Sequence, residues 1–446
     1  MLEPIRTDVL QELDELLGNE LLTETSSCTS LLDQEEARAL EAFGGTSPSN
    51  AASTSPLNRR IDGTHSHSTS DTASEGARCR ILLRLALTGE LLAEVRMRPD
   101  ETAGELRQAV RSAVLARTPR GRPELVFEGE KLTDCMTLEA AGIGRDAEVQ
   151  VVIARPLVVV TASKDWTAKL WDADTGQLCK VFWGHAGAVT SVCFAPHGFM
   201  LATAAEDGTA KLWDAKTGTC QRTLRDNDTI ITSICFAPDG QTVATASGEG
   251  ILKLWDAYTG RCLRSIRGHG FAATSVCFAP DGSVLASASM DRTVKIWEAA
   301  SGKCARILKH ASDVASVCFA PQGLSFATAS IDGTVRLWDL PAGECKQMLK
   351  GWPPVSFAPN GRMVATAAID GTAKLWDVST GDIVRTLTGH VGHVTSVCFG
   401  PGGHTAVTTS LDKTARVWDT RTGQCLQILN GHMGCVNSAA FVLGPS

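Results

Sequence analysis

The stretch "KLWDAKTG", Lys211 to Gly218, closes one copy of a pattern that runs through most of the chain. "KLWDADTG", "KLWDAYTG", "KIWEAASG", "RLWDLPAG", "KLWDVSTG" and "RVWDTRTG" are six further versions. Their tryptophans are Trp171, Trp213, Trp255, Trp297, Trp338, Trp376 and Trp418, spaced 42, 42, 42, 41, 38 and 42 residues apart. The unit around Trp213 holds four short apolar runs, "AVTSVCFAP", "FMLATAAE", "TAKLWDA" and "TCQRTLR", with Gly, Pro or Asp turns between them. Runs of that length, punctuated that way, read as four strands per unit. A repeat of this period means a solenoid, a propeller or an array.

Repeat length, the Trp-Asp ending and the Gly-His before the first run of several units together resemble the WD40 β-propeller family, over residues 156–446. The resemblance implies an all-β seven-bladed propeller. With strands labelled a to d from the centre outward, the chain offers seven copies of b, c and d. The first unit, beginning "PLVVVTAS", has no strand a of its own. The seventh a is "CVNSAAF", near the C-terminus. An open ring would leave an unpaired edge of backbone N–H and C=O groups. The C-terminal strand is therefore expected to insert as the inner strand of the first unit.

The family resemblance also implies a buried hydrogen-bond ladder in each regular blade, made of the Gly-His histidine, an Asp in the b–c turn, a Ser or Thr, and the Trp indole. His185, Asp207 and Trp213 match it, as do His269, Asp291 and Trp297; His310, Asp332 and Trp338; and His390, Asp412 and Trp418. Asp165 and Trp171 lack a histidine upstream, and His432 is spare, so a His432–Asp165–Trp171 ladder is predicted to join the two ends. Two units depart from the pattern. Around Trp255, Asn227 and Glu249 replace His and Asp. Before Trp376, "KGWPPVSFAP" is about three residues short and has no His. These two are expected to be the softer units.

Upstream of the repeats the chain changes character twice. Residues 1–77 form an acidic tail; the first 76 residues carry 4 basic and 14 acidic side chains. Val9, Leu10, Leu13, Leu16 and Leu17 recur at helical spacing, with a second apolar set at Leu31, Leu32, Leu40 and Phe43. These read as two short helices in a largely disordered tail. Gly44 to Gly76 is a Ser/Thr-rich linker in which His65 and His67 lack further ligands, so no metal is expected. Within 78–155, "RCRILLRLALTGELLAEVRMRPD" reads as two strands around a turn at Thr88-Gly89, "ETAGELRQAVRSAVL" as a helix with apolar Leu106, Val110, Ala113 and Val114, and "ELVFEGEKL" and "AEVQVVIA" as further strands. The β-β-α-β-β order and the run "LVFEGEKLTDCMTLEAAGIGRDAEVQVVI" resemble ubiquitin, implying a small α+β ubiquitin-like (β-grasp) domain. Its last strand runs on into "ARPLVVV", so a conjugated role is excluded. Its single lysine, Lys131, argues against chain building. By the resemblance Val126 and Val152 fall on the binding face, with Glu124 and Gln150 where ubiquitin has basic and His positions.

No stretch is apolar over the roughly twenty residues that a membrane span needs, and the acidic start does not read as a signal peptide. The chain is therefore expected to be soluble and cytoplasmic or nuclear. Outside the tail its charge is near neutral, which argues against nucleic acid. No nucleophile elbow, P-loop or dinucleotide fingerprint occurs. Histidine–aspartate pairs that recur in every regular unit are structural, so no enzyme and no cofactor are expected. The cysteines fall on strands a (Cys193, Cys235, Cys277, Cys318, Cys398) and d (Cys179, Cys220, Cys262, Cys304, Cys345, Cys425). Those strands lie about 14 Å apart at about 4.8 Å per step, beyond the roughly 7 Å Cα limit of a disulfide. They read as small core residues in a reducing compartment.

The family binds partners on the face made by d–a loops and b–c turns. Ahead of the turn acid, this chain places Lys164, Glu206, Gly248, Met290, Ile331, Ile369 and Leu411. The loops add Phe271, Trp352, Val391 and Met433, and Trp166 follows Asp165. This apolar set is the expected partner site. The resulting expectation is a non-enzymatic adaptor, its propeller holding one protein or peptide and its ubiquitin-like domain docking a second, linked to ubiquitin-system or proteasomal receptors. The alternative is a ribosome-assembly factor of the Notchless type, which shares the domain order.

Overall fold

The computed structural model describes residues 79–85, 91–115, 122–128, 130–132, 136–144, 146–154, 157–225 and 229–443. The tail, the linker, the Thr88-Gly89 turn and Asn227 lie outside the described residues, as do the side chains of Ala113, Val114, Glu124, Lys131 and Val152. The chain divides into two units, Met1–Glu75 and Gly76–Ser446.

In the second unit, strands β1 (Cys79–Leu85), β2 (Leu91–Met97), β3 (Arg122–Phe127), β4 (Glu130–Lys131) and β5 (Ala147–Ala154) form one mixed sheet in the order β2-β1-β5-β3-β4, with β1 and β5 parallel. Alternation places Ile81, Leu83, Leu125, Val149 and Val151 on the buried face, against Leu106 and Val110 of helix α1 (Ala103–Leu115). The helix begins with a reciprocal cap: Thr102 N–H donates to Glu105 (2.7 Å), and Glu105 N–H donates to the Thr102 hydroxyl (3.3 Å).

From Leu157 onward the chain forms seven four-stranded antiparallel sheets. Six are contiguous in sequence, their inner strands being Val189–Phe194, Ile231–Phe236, Ala273–Phe278, Val314–Phe319, Trp352–Phe357 and Val394–Phe399. These are numbered two to seven below. Sheet one is made from both ends: Val436–Leu443 pairs with Leu157–Ser163, which continues to Ala168–Asp172 and Leu178–Phe182. Each inner strand packs beside the next, and Val436–Leu443 lies between Val394–Phe399 and Val189–Phe194, so the circuit closes.

The burial of each strand follows from its place. Second strands are buried beyond their first residue and rich in alanine (Ala202, Ala204, Ala244, Ala246, Ala327, Ala329), which lets neighbouring sheets approach closely at the centre. Outer strands bury one main anchor each, such as Leu224, Leu308 or Leu387. Every repeat tryptophan packs against the preceding sheet. Trp213 packs on Phe182 and Leu170 of sheet one, and Trp171 on Val407, Val417 and Leu429 of sheet seven. Burying one such indole contributes at most about 5 kcal/mol by area. Together the tryptophans link all seven sheets.

The cysteine expectation needs one correction. Inner-strand cysteines are half-buried, but Cys179, Cys220, Cys262, Cys304, Cys345 and Cys425 are exposed. Each sits at or next to the start of an outermost strand, where no further sheet covers it.

Candidate functional site

One end of the ring is built from the turns between second and third strands and the loops that enter each inner strand. Backbone bonds tie six of the turns to their loops: Glu206 N to Ala188 O, Gly248 N to Ile230 O, Met290 N to Ala272 O, Ile331 N to Asp313 O, Leu411 N to His393 O and Lys164 N to Cys435 O, all 2.8–3.0 Å.

Four ladders lie beneath this end. His432 Nδ1 is 2.7 Å from Asp165 Oδ2, and its Nε2 is 2.7 Å from Thr161 Oγ1, which accepts from Trp171 Nε1–H at 2.8 Å. The same geometry recurs for His185, Asp207, Thr203 and Trp213 (3.0, 2.7 and 2.9 Å). It recurs again for His269, Asp291, Ser287 and Trp297 (2.8, 2.7 and 2.8 Å), and for His390, Asp412, Thr408 and Trp418 (2.8, 2.8 and 2.7 Å). A carboxylate only accepts, so Nδ1 carries a proton; in the neutral ring, which burial favours, Nε2 is bare and the hydroxyl donates to it. Burial pushes these four histidines below the ordinary imidazole range, against the raising effect of the facing carboxylate. Burial alone would raise Asp165, Asp207, Asp291 and Asp412. Hydrogen bonds from histidine, threonine and main-chain N–H groups outweigh it and hold them low.

The glycine before each of these histidines lies against the tryptophan. A Cβ at Gly268 would meet Trp297 at 2.1 Å, and one at Gly389 or Gly431 would meet Trp418 or Trp171 at 3.2 Å. In sheet five this glycine is missing, and Lys309 adjoins His310 directly. The His310–Asp332 link expected from the sequence is not made. His310 N–H is drawn to Arg292 O (2.8 Å), and its buried Nδ1 has no partner. Its Nε2 keeps Thr328 (3.3 Å), and Asp332 accepts from Thr334 (2.7 Å). Burial and the nearby Arg336 push His310 down to about 4. Sheets three and six have no ladder histidine, as read from the sequence, but Trp255 and Trp376 still donate to Thr245 and Thr366 (both 2.9 Å). In sheet six Gly351 takes the histidine's place, since a Cβ there would meet Thr366 Oγ1 at 2.8 Å.

The apolar set divides in two. Trp166, Phe271, Val391 and Met433 are 55, 63, 93 and 81% exposed. Met290, Ile331, Ile369, Leu411 and Trp352 are half-buried, and Trp352 opens an inner strand instead of lying in a loop. Exposed Trp183 and Ile230 lie on the same loops and escaped the sequence reading. On the small sheet, Val126 pairs with Gln150 and Glu124 with Val152, so all four positions share the face opposite the core. Among the described residues no cluster of three His, Cys, Asp or Glu could hold a metal ion, and no helix is long and apolar enough to cross a membrane.

A ring of like sheets, each carrying a tryptophan–hydroxyl bond and four a full ladder, defines an all-β repeat protein consistent with a WD40 propeller. Six copies of the family described as "WD domain, G-beta repeat" match residues 176–214, 218–256, 260–298, 302–339, 343–377 and 381–419. These span just over half of the chain, and the chain belongs to this WD-repeat family. The chain is 45% identical over 49 residues to WD repeat-containing protein 37 of Xenopus tropicalis, covering 11% of this chain and 10% of that protein. It is 50% identical over 38 residues to guanine nucleotide-binding protein subunit beta-1 of Caenorhabditis briggsae, covering 8% and 11%. To guanine nucleotide-binding protein G(I)/G(S)/G(T) subunit beta-1 of Homarus americanus it is 49% identical over 39 residues, covering 9% and 12%. The chain spans about a tenth of the length of these relatives.

Proposed function

We propose that this chain is a non-enzymatic protein–protein interaction scaffold: a seven-bladed propeller (156–446) whose ladder-bearing end captures a partner protein, preceded by a ubiquitin-like domain (78–155) that docks a second. The observation that carries this reading is the exposure of Trp166, Phe271, Val391 and Met433 at one end of the ring. Large apolar side chains held out at one end mark an interaction site. The ladders would serve as its foundation, since each fixes a turn against the loop beside it. For the small domain, the β2-β1-β5-β3-β4 order with a helix on one face supports the ubiquitin-like reading. Val126 and Val152 would dock the second partner, drawn from ubiquitin-system or proteasomal receptors. Two linked modules raise effective concentration without new contacts.

Photo-crosslinking tests the capture reading. A benzophenone side chain at Val391 or Phe271 of the full chain is expected to trap one partner in cell extract. The same group at Tyr258 or Leu324, exposed in turns at the opposite end, is expected to trap none. The reverse pattern rejects the proposal.

A further inference from the structure

Charge is unevenly spread around the ladder-bearing end. Sheets two, three, five and six present Glu206, Glu249, Asp332 and Asp370, all exposed. In sheet four Arg292 is offset by Asp313 at 3.7 Å. Sheets seven and one differ. Their turn carboxylates, Asp412 and Asp165, are covered and taken up by His390 and His432 and by the N–H groups of Val391 (3.1 Å) and Met433 (3.0 Å). The charged side chains left without a partner in those turns, among the described residues, are Lys413, exposed, and Lys164, half-buried.

The same two sheets carry the apolar side chains most open to water, and they are stitched together. Cys435 Sγ–H donates to Leu411 O (3.5 Å), and Lys164 N–H donates to Cys435 O (2.8 Å). Val391, Lys413, Met433, Trp166 and Lys164 therefore follow one another along a single arc. Two of them hold strained backbone. Trp166 and Lys413 both have φ 68°, and Arg292 of sheet four has φ 62°, at the turn position where Gly208, Gly250, Gly333 and Gly371 have φ 73–81°. An L-residue there costs about 1 kcal/mol or more. Stability alone would favour glycine, so these side chains are kept at the rim against a local penalty, as is common where a surface binds.

We infer that this arc holds an acidic, apolar linear segment of the partner, its apolar side chains seated on Trp166, Met433 and Val391 and its carboxylates on Lys164 and Lys413. The inference rests on the partner-capture reading and narrows it to two of seven sheets. A basic segment would be turned away by the lysines here, and an acidic one would be repelled by the flanking Glu206 and Asp370 if it strayed. That makes charge the means of fixing register.

The test is fluorescence anisotropy on the full chain, with a labelled octapeptide of leucine and glutamate as probe and its lysine-for-glutamate counterpart as rival. The acidic probe is expected to bind roughly tenfold or more tightly than the basic one. Lys164→Glu with Lys413→Glu should invert that preference. Trp166→Gly should weaken the acidic probe about tenfold while raising the melting temperature, because glycine suits the turn. Loss of affinity without loss of folding separates anchoring from damage. Tyr258→Ala, at the opposite end, should change nothing. Equal binding of the two probes, unchanged affinity in Trp166→Gly, or an equal loss in Tyr258→Ala would each overturn the inference. Crosslinks that form at Phe271 but not at Val391 would leave partner capture standing and sink this arc alone.

Discussion

His432 Nδ1 lies 2.7 Å from Asp165 Oδ2 across 267 residues of sequence. The contact joins the last loop of the chain to the first repeat turn, and three other bonds support it. Met433 N–H shares the same Asp165 oxygen, Thr161 accepts from Trp171, and Lys169 Nζ reaches Gly431 O. His432→Ala would take one of several hydrogen bonds from a covered carboxylate and leave the Thr161 hydroxyl without its acceptor, and is expected to cost about 2 kcal/mol. Deleting 431–446 should cost more. It removes a strand that pairs from Val436 to Leu443 and exposes the second strand of sheet one. Calorimetry should show a melting temperature lower by more than about 10 °C and a broadened transition. An unchanged melt would refute closure as a source of stability.

Acid should weaken the ring in two steps. The ladder histidines and His310 are held neutral, with folded values below the unfolded one near 6.5. For a depressed imidazole the unfolded chain binds the proton first, so stability falls as pH drops below about 6.5. For His310 the loss runs until about 4, its folded value, and amounts to roughly 3 kcal/mol. The carboxylates of Asp165, Asp207, Asp291 and Asp412 are depressed as well. Their contribution is present above the usual carboxylate range and fades below it. Since His310 Nδ1 is buried without a partner, His310→Leu should be neutral or stabilising at pH 7 and should flatten the slope between pH 6.5 and 4 in urea titrations.

Much of this architecture was legible because the repeat is long and its punctuation regular. The tryptophan spacing marks seven units, and the absent first strand and spare His432 point to one another. The Ser or Thr of the ladder was expected too, but not its fixed place. A Thr or Ser stands ten residues before every repeat tryptophan, from Thr161 to Thr408, and accepts the indole N–H in all seven sheets. Sheet five was misread because the His–Asp spacing is intact there, although the glycine before His310 is missing and Nδ1 does not reach Asp332. Residues such as Ile331 and Ile369 could not be placed from pattern alone. Their exposure depends on which loop lies over them, and loops packing across sheets leave no local period.

Glycines at the ladder positions should resist substitution for a steric reason. A methyl at Gly351 would lie 2.8 Å from Thr366 Oγ1 and 3.0 Å from its Cβ, and Thr366 is held in turn by Trp376. Gly351→Ala is expected to cost about 2 kcal/mol by overpacking. At Gly282, where the nearest atom is Pro238 Cδ at 3.6 Å, crowding is absent and only the left-handed φ of 73° opposes a side chain. Gly282→Ala should therefore cost less, about 1 kcal/mol. Guanidinium denaturation of both variants checks the order; a larger loss at Gly282 would contradict it.

The cysteines offer a chemical readout of inner against outer strands. Burial pushes Cys235 up to about 12 and Cys398 up to about 11, and raises Cys193, Cys277 and Cys318 as well. The thiolate is the reactive form, so these five should be inert while the ring is intact. Cys179, Cys220, Cys262, Cys304, Cys345 and Cys425 are exposed at the starts of outer strands. Iodoacetamide at pH 8 followed by peptide mass spectrometry should label these six within minutes to hours, with Cys304 lagging because burial raises its thiol too. The inner five should react only after denaturant is added. If deleting 431–446 opens the ring, Cys398 should be the first inner thiol to become reactive. It packs in one cluster with Phe441 and Ala439 of Val436–Leu443, whereas Cys193 packs on Ile234 and Phe236 of sheet three. Uniform labelling of all five in the truncated chain would mean global unfolding, and no change at Cys398 would mean that the C-terminal strand does not cover it.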